Sequence, residues 1–297
     1  MGLCRPPDAD AIPVSPVPAV NVASVPQRSP LRYPGGKTWL IPHVRYWLER
    51  MDPTPKLLIE PFAGGGIVSL TAVMEGLVGH CLMVELDRDV AAFWHAALRH
   101  GPQLCEMIKD FQPTRDSVDA LSQRIPVDVL EHGFRTLVLN RTRRGGILAP
   151  GASLSRYGEG GKGVASRWYP ETLVRRLSDI AGHARRIGFC EADGISQLEV
   201  LIGSLGDDCV LFVDPPYTAG GKRAGKRLYA HSELDHGRLF ELLADRVCDF
   251  LMTYDRTPEI EALVRNHGFH TVQVLMKNTH HARIPELVIS RRPVFIS

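Results

Sequence analysis

The sequence predicts an α/β fold built on an open sheet, and two stretches carry that prediction. The first is Leu57-Leu58-Ile59-Glu60-Pro61-Phe62-Ala63-Gly64-Gly65-Gly66. Its apolar start, ending in an acid, reads as a buried strand. Its three glycines let the backbone turn tightly and let a ligand come close. Ile67 to Met74 then carries apolar residues at helical spacing. Strand, glycine loop and helix in that order form the cofactor-site unit of open α/β sheets. The second stretch is Asp214-Pro215-Pro216-Tyr217, directly after the apolar run Cys209 to Val213. A strand again runs into a polar loop, which belongs at the carboxyl edge of the same sheet.

Length and composition set the frame. The 297 residues suffice for one large α/β domain plus a smaller one, and 44% hydrophobic residues is an ordinary globular content. The six cysteines are scattered without a C-x-x-C pair, which suits reduced thiols in a cytoplasmic protein with no zinc site or disulfide framework. No run reaches the apolar length of a membrane span. The net charge is only +2, but ten basic residues between Asn140 and Arg186 face three acids. That local excess suits a phosphate backbone, and it also suits a solvated arginine-rich helix face.

The glycine loop alone leaves the cofactor open. Gly64 and Gly66 fit the G-x-G-x-x-G dinucleotide pattern, but the last position is Ser69. Gly36-Lys37-Thr38 ends like a phosphate-binding P-loop, but the first glycine of that pattern falls on Leu31. The third option is an S-adenosylmethionine site, with the acid before the glycines near the cofactor.

The elements follow in order. Residues 1 to about 28, with prolines at 6, 7, 13, 16, 18 and 26, read as a disordered or extended tail. Thr38 to Arg50 reads as a helix, placing Gly36-Lys37 at its N-terminus. Cys81 to Glu85 reads as a second strand, with Glu85 at its tip where a ribose-binding acid belongs and Asp87 as a competitor. Asp89 to Leu98 reads as a helix whose Phe93 and Trp94 face the core. The strand–helix rhythm breaks from about 101 to 182, and Pro170 sits where it suits the first turn of a helix. The sheet resumes at Ile187 to Glu191, followed by Asp193-Gly194, where an Asp before Gly also suits a plain turn. After Asp214 to Tyr217, Thr218 to Arg227 reads as a basic, glycine-containing loop with no acid. Helices over 239–247 and 257–267 and strands at 250–254, 270–276 and 286–290 complete the sheet as a hairpin-like edge. His280-His281 reads as a turn.

With Ser29-Pro30-Leu31-Arg32-Tyr33-Pro34-Gly35-Gly36-Lys37 ahead of the glycine loop, the sequence resembles the Dam-like adenine-specific (N6) DNA methyltransferases. A P-G-G-K segment, E-P-F-x-G-x-G, an insert and D-P-P-Y follow one another in that family's order, from about residue 29 to the end. The resemblance implies a Rossmann-like SAM-dependent methyltransferase sheet with an inserted, mainly helical target-recognition domain. Residues 29–100 and 183–297 would form the S-adenosylmethionine-binding domain and 101–182 the insert. Tyr33, Lys37, Glu60, Phe62, Gly64, Gly66, Glu85, Asp193 and Asp214 would line the cofactor pocket. Double-stranded DNA would be the partner, met by Asn140, Arg141, Arg143, Arg144, Lys222 and Arg223. Where the family runs F-N-x-P-x-G, this chain reads Gly145 to Gly151, so the recognition sequence does not carry over.

The chemistry implied is methyl transfer to adenine N6 without a metal. The amine lone pair is delocalised into the ring, so acceptors must hold it toward the methyl group. The Asp214 carboxylate and the Pro215 carbonyl would accept and Tyr217 would stack on the base, with Pro216 the remaining residue of the D-P-P-Y site. The base must leave the duplex to be reached. Related acceptor motifs also serve cytosine N4, RNA and protein glutamine, and a non-catalytic DNA-binding protein on the same scaffold is the contrasting reading.

Overall fold

The structure is a computed structural model, and it describes residues 12–18, 20–33, 35–149, 152–155, 161–216, 234–245, 248–277 and 283–295. Among these, seven strands form one sheet in the order β3-β2-β1-β4-β5-β7-β6. The strands are β1 (Leu57–Glu60), β2 (His80–Glu85), β3 (Ile187–Glu191), β4 (Cys209–Val213), β5 (Asp249–Asp255), β6 (His270–Lys277) and β7 (Arg283–Ser290). β1 to β5 pair in parallel, and β7 alone runs against its neighbours. The Rossmann-like α/β sheet expected from the sequence is therefore the one found.

The strand order reverses between β1 and β4, which pair from Leu57 with Cys209 to Ile59 with Leu211. Ligands of open α/β sheets bind outside the carboxyl ends of the strands at such a switch point. The glycine loop leaves β1 there and Asp214 leaves β4 beside it. Both motifs thus reach one crevice although some 150 residues separate them in the chain.

Helix α2 (Ile67–Met74) is apolar and buried from Ile67 through Val73, as the sheet-facing partner of the glycine loop must be. Helix α3 (Arg88–Arg99) buries Val90, Phe93, Trp94, Ala96 and Ala97. The Trp94 Nε1–H donates to the Gly64 carbonyl at 2.9 Å, so this core residue also fixes the loop.

Three expectations shift. The helix read from Thr38 begins as a 3-10 turn, Lys37–Leu40, and helix α1 spans Ile41–Leu48 with Pro42 in its first turn. Proline suits that position and sets the α-helical start there. The proline-rich tail is partly seated: Val14 bridges Gln273 on β6, and Val25 is buried in the main core. Its prolines forbid a helix, but a short extended run can still pair with an edge strand.

The third shift concerns the insert. Helices α4 (Gly101–Asp110), α5 (Arg115–Gln123), α6 (Val129–Thr142) and α7 (Pro170–Gly182) make 101–182 mainly helical. Their Leu104, Val118, Phe134, Leu137, Leu173 and Leu177 share one apolar core with the residues of α1, α2 and β2. Among the described residues the segment packs onto the sheet domain along α3 and shares its apolar core.

Gly133 is where α6 meets α3. A Cβ there would lie 2.5 Å from Ala96 Cβ and 2.7 Å from the Ala92 carbonyl oxygen. Alanine gains about 1 kcal/mol of helix propensity over glycine, yet overpacking costs about 1–3 kcal/mol. Gly133→Ala is expected to lower stability by up to about 2 kcal/mol, read as a lower urea midpoint with an unchanged m-value; a midpoint above wild type would show that the contact is loose.

Candidate active site

A cavity of about 640 Å³ opens at the switch point, within the roughly 300–1,000 Å³ usual for small-molecule sites. Its lining includes Tyr33, Lys37, Glu60, Phe62, Gly66, Glu85, Asp193, Asp214 and Pro216. Residues singled out from distant parts of the sequence are thereby brought to one place. Gly64 and Gly66 adopt φ of 48° and 62°, values that favour glycine, and a Cβ on Gly64 would strike the Tyr33 ring at 2.5 Å. The ring of Tyr33 therefore rests on the loop where no side chain fits.

Lys37 is a buried charge paired with two carboxylates. Its ammonium lies 3.0 Å from Asp214 Oδ1 and 3.0 Å from Glu286 Oε1, with 5% of its side chain exposed. Burial lowers its pKa, but the two carboxylates outweigh burial and hold the pKa above its ordinary value. Thr253 on β5 donates its hydroxyl to the same Asp214 oxygen at 2.7 Å. Asp214 is thus fixed by a cation and a hydroxyl at the edge of the cavity. The lysine reaches it from the 3-10 turn, so pairing and not a helix N-terminus explains its place.

The acids along the glycine loop are buried. Glu60 accepts the Ser69 N–H and hydroxyl through one oxygen. Ser69, the residue that broke the dinucleotide pattern, is therefore the clamp on the strand-ending acid. Glu85 accepts the Gly64 N–H at 2.8 Å through one oxygen and the Asp87 N–H at 2.8 Å through the other. Burial pushes Glu60 up to about 8, opposed by the Ser69 bonds and assisted by Asp214 and Glu85. Burial likewise pushes Glu85 up to about 7. Asp87 caps α3 through the N–H groups of Asp89 and Val90. Asp193 caps helix α8 (Gly194–Leu201) through Ser196 and still borders the cavity, so its turn role and its site position coexist.

The residues expected at DNA separate. Asn140 is fully buried: its amide accepts from Arg32 N–H and donates to the carbonyls of Arg32 and Gly146. Its donors and acceptor are consumed in tying α6 to the segment before Lys37, so it does not face a phosphate. Arg143 turns back to the Leu148 carbonyl at 2.9 Å, and Arg144 is exposed. Arg141 points into the cavity with Arg32, Arg167 and Arg176. Tyr217, Lys222, Arg223 and His280-His281 lie outside the described residues.

The residues present fit S-adenosylmethionine. Its sulfonium, ammonium, hydroxyls and ring amine are cationic or donating, and the loop side of the cavity offers Glu60, Glu85, Asp87 and Asp193 as acceptors around Phe62, over a glycine cradle that a Cβ would fill. Among the described residues no group of three or more His, Cys, Asp or Glu is placed to hold a metal, and no helix is long and apolar enough to cross a membrane.

No family model matches the chain. A curated protein does: a DNA N-6-adenine-methyltransferase of Escherichia phage P1 is 25% identical over 259 residues, covering 82% of this chain and 32% of that protein. In sequence, the chain is akin to a DNA adenine-methyltransferase. It spans 32% of that relative's length. Among solved structures, an rRNA methyltransferase from Streptomyces viridochromogenes aligns at TM-score 0.40 and 16% identity, over 93% of this chain and 86% of the other. A SAM-dependent methyltransferase from Agrobacterium tumefaciens aligns at TM-score 0.39 and 11% identity, over 84% and 60%. At these scores neither alignment bears on the substrate.

Sequence reasoning missed Glu286 and Thr253. Glu286 had a signal, an acid directly before the apolar run Leu287-Val288-Ile289 of a strand. Thr253 had none, since a threonine in a strand is ordinary.

Glu60 and Glu85 fix a pH dependence. Free glutamate titrates near 4.3, so the folded chain keeps protons up to about 7–8 that the unfolded chain has lost. The folded state then binds more protons across that window, and stability falls as pH rises through it. Thermal melts at pH 5 and pH 8 are expected to show this fall in the wild type and a smaller one in Glu60→Gln. An equal fall in both would remove Glu60 from the effect.

Proposed function

We propose that the chain is an S-adenosylmethionine-dependent methyltransferase acting on the N6 amine of adenine in a specific short DNA sequence. One observation carries the reading. Asp214, held by Lys37 and Thr253, borders the same cavity as the glycine loop, so an amine acceptor and a cofactor cradle share one space. The ordered motifs and the phage relative support the choice of adenine in DNA.

S-adenosylmethionine, when bound, supplies a methyl group on a sulfonium, already a good leaving group. Glu60, Glu85, Asp87 and Asp193 give acceptors for its donors, and Phe62 gives an apolar face for its ring. Asp214 accepts an N–H of the target amine, which turns the lone pair toward the methyl group and stabilises the positive charge that develops on the nitrogen as its bond to the methyl forms, until that N–H proton is lost to solvent. Lys37 and Thr253 keep that carboxylate from rotating away. The chain's contribution is positioning and electrostatics, and the target base must be extruded from the duplex to reach Asp214.

The test is modification mapping of genomic DNA from a methylation-free host expressing the chain. N6-methyladenine at one recurring short sequence is expected, and Asp214→Ala is expected to lower transfer by at least about 100-fold while duplex binding survives. Transfer by Asp214→Ala near the wild-type rate would refute the role of Asp214. Methylation of cytosine N4, RNA or protein alone would refute the substrate.

A further inference from the structure

Ahead of every motif that the methyl transfer uses, one stretch of the chain already lines the cavity, through Val22, Ala23 and Gln27. It belongs to a strap, residues 12–18 and 20–28, that is tied down at both ends. At the first end the Gln273 N–H of β6 donates to the Pro13 carbonyl at 2.7 Å, and the Ser15 N–H donates to the Gln273 carbonyl at 3.0 Å. At the other end Val25 is buried in the main core, and the Arg28 guanidinium lies 2.8 Å from Glu75, a carboxylate that Arg45 also grips. Between the two ties is a 3-10 turn, Val22–Ser24, capped by the Asn21 side chain, which accepts the Ala23 N–H at 3.0 Å. Ordering a chain segment costs conformational entropy. The ties offset that cost, yet Val22, Ala23 and Gln27 stay exposed at the cavity.

The sheet order says which half of the cavity the strap meets. Glu60, Glu85 and Asp193, acceptors for the cofactor, lie at or just past the ends of β1, β2 and β3. Asp214, Thr253 and Glu286 come from β4, β5 and β7. The strap starts along β6, the edge strand beside β7. Gln27 then accepts the Thr38 hydroxyl at 3.5 Å, one residue along from the Lys37 that pairs with Asp214. We infer that the strap is part of the acceptor pocket, where Val22 and Ala23 cover a face of the extruded base and Gln27 reads its edge. The inference rests on the proposed methylation of a base. Extruded bases are held by packing against apolar or aromatic side chains and by hydrogen bonds along a polar edge. Val22 and Ala23 provide the packing. The Gln27 amide offers a donor and an acceptor side by side, the complement of a base edge. Its bonds to the Thr38 hydroxyl and to the Val22 and Val25 carbonyls are long, at 3.5, 3.5 and 3.4 Å, so a base edge at ordinary hydrogen-bond length displaces them. Gln27 is then a specificity-determining residue of the proposed reaction.

The test compares wild type, Ala23→Trp and Gln27→Met in two measurements. One is S-adenosylmethionine binding by calorimetry without nucleic acid. The other is kcat/KM for methyl transfer at saturating cofactor, on genomic DNA from the methylation-free host. Both positions are exposed, and thermal melts check that each variant folds; Gln27→Met serves if Ala23→Trp does not. The indole of Ala23→Trp is expected to crowd the base and lower kcat/KM by at least about tenfold. Gln27→Met, which loses the hydrogen bonds and keeps the bulk, is expected to lower it by about fivefold. Cofactor affinity is expected to stay within about twofold of wild type in both. Weakened cofactor binding with wild-type kcat/KM would assign the strap to the cofactor half and overturn the inference. Equal losses in both measurements, or no change in either, would also overturn it. If the wild type methylates RNA and not DNA, the DNA reading fails, and the same comparison on RNA decides the strap. Transfer to neither nucleic acid by the wild type would overturn both.

Discussion

The bridge from Lys37 to Asp214 and Glu286 holds the site together. A lysine buried this deeply stays charged only if carboxylates surround it, and here two do, each at 3.0 Å. They come from the end of β4 and from β7, and the lysine comes from the segment ahead of β1. The bridge therefore closes the crevice from three directions. Thr253 adds a fourth tie from β5, which pairs with β7 so that Thr253 stands opposite Val288 and Asp255 opposite Glu286. The antiparallel edge strand thus serves the chemistry as well as the fold, because it delivers Glu286 to the mouth of the parallel sheet.

Charges of both signs line the cavity. Glu60 and Glu85 hold protons above the usual carboxylate range because burial and neighbouring acids disfavour their ionised forms. Arg141, also in the lining, has its pKa depressed because burial and neighbouring arginines disfavour its cation.

Much of this was legible in the sequence. The glycine loop, the apolar runs of β1 and β4 and the edge hairpin each rest on local patterns that tertiary context did not overrule. Asp214 and Lys37 were found through motifs with fixed neighbours. What was not legible was partnership. Asn140 and Arg141 are adjacent and both read as nucleic-acid contacts, yet the turn of the helix sends one into a hydrogen-bonded tie with Arg32 and the other into the cavity. A count of basic residues cannot separate them, because burial is set by what packs across the helix. Glu286 escaped for a related reason: its partner lies some 250 residues earlier, and only the strand register brings the two together. The tail was read as disordered or extended, and its Val14 takes the extended form beside β6.

The most direct measurement is single-turnover methyl transfer to duplex DNA by Glu286→Gln at saturating S-adenosylmethionine, with cofactor affinity measured beside it. If the bridge positions Asp214, the rate falls by at least about tenfold while cofactor affinity and melting temperature change little, and Glu286→Asp recovers part of the loss. A wild-type rate in Glu286→Gln would contradict the idea that the buried bridge sets up the reaction.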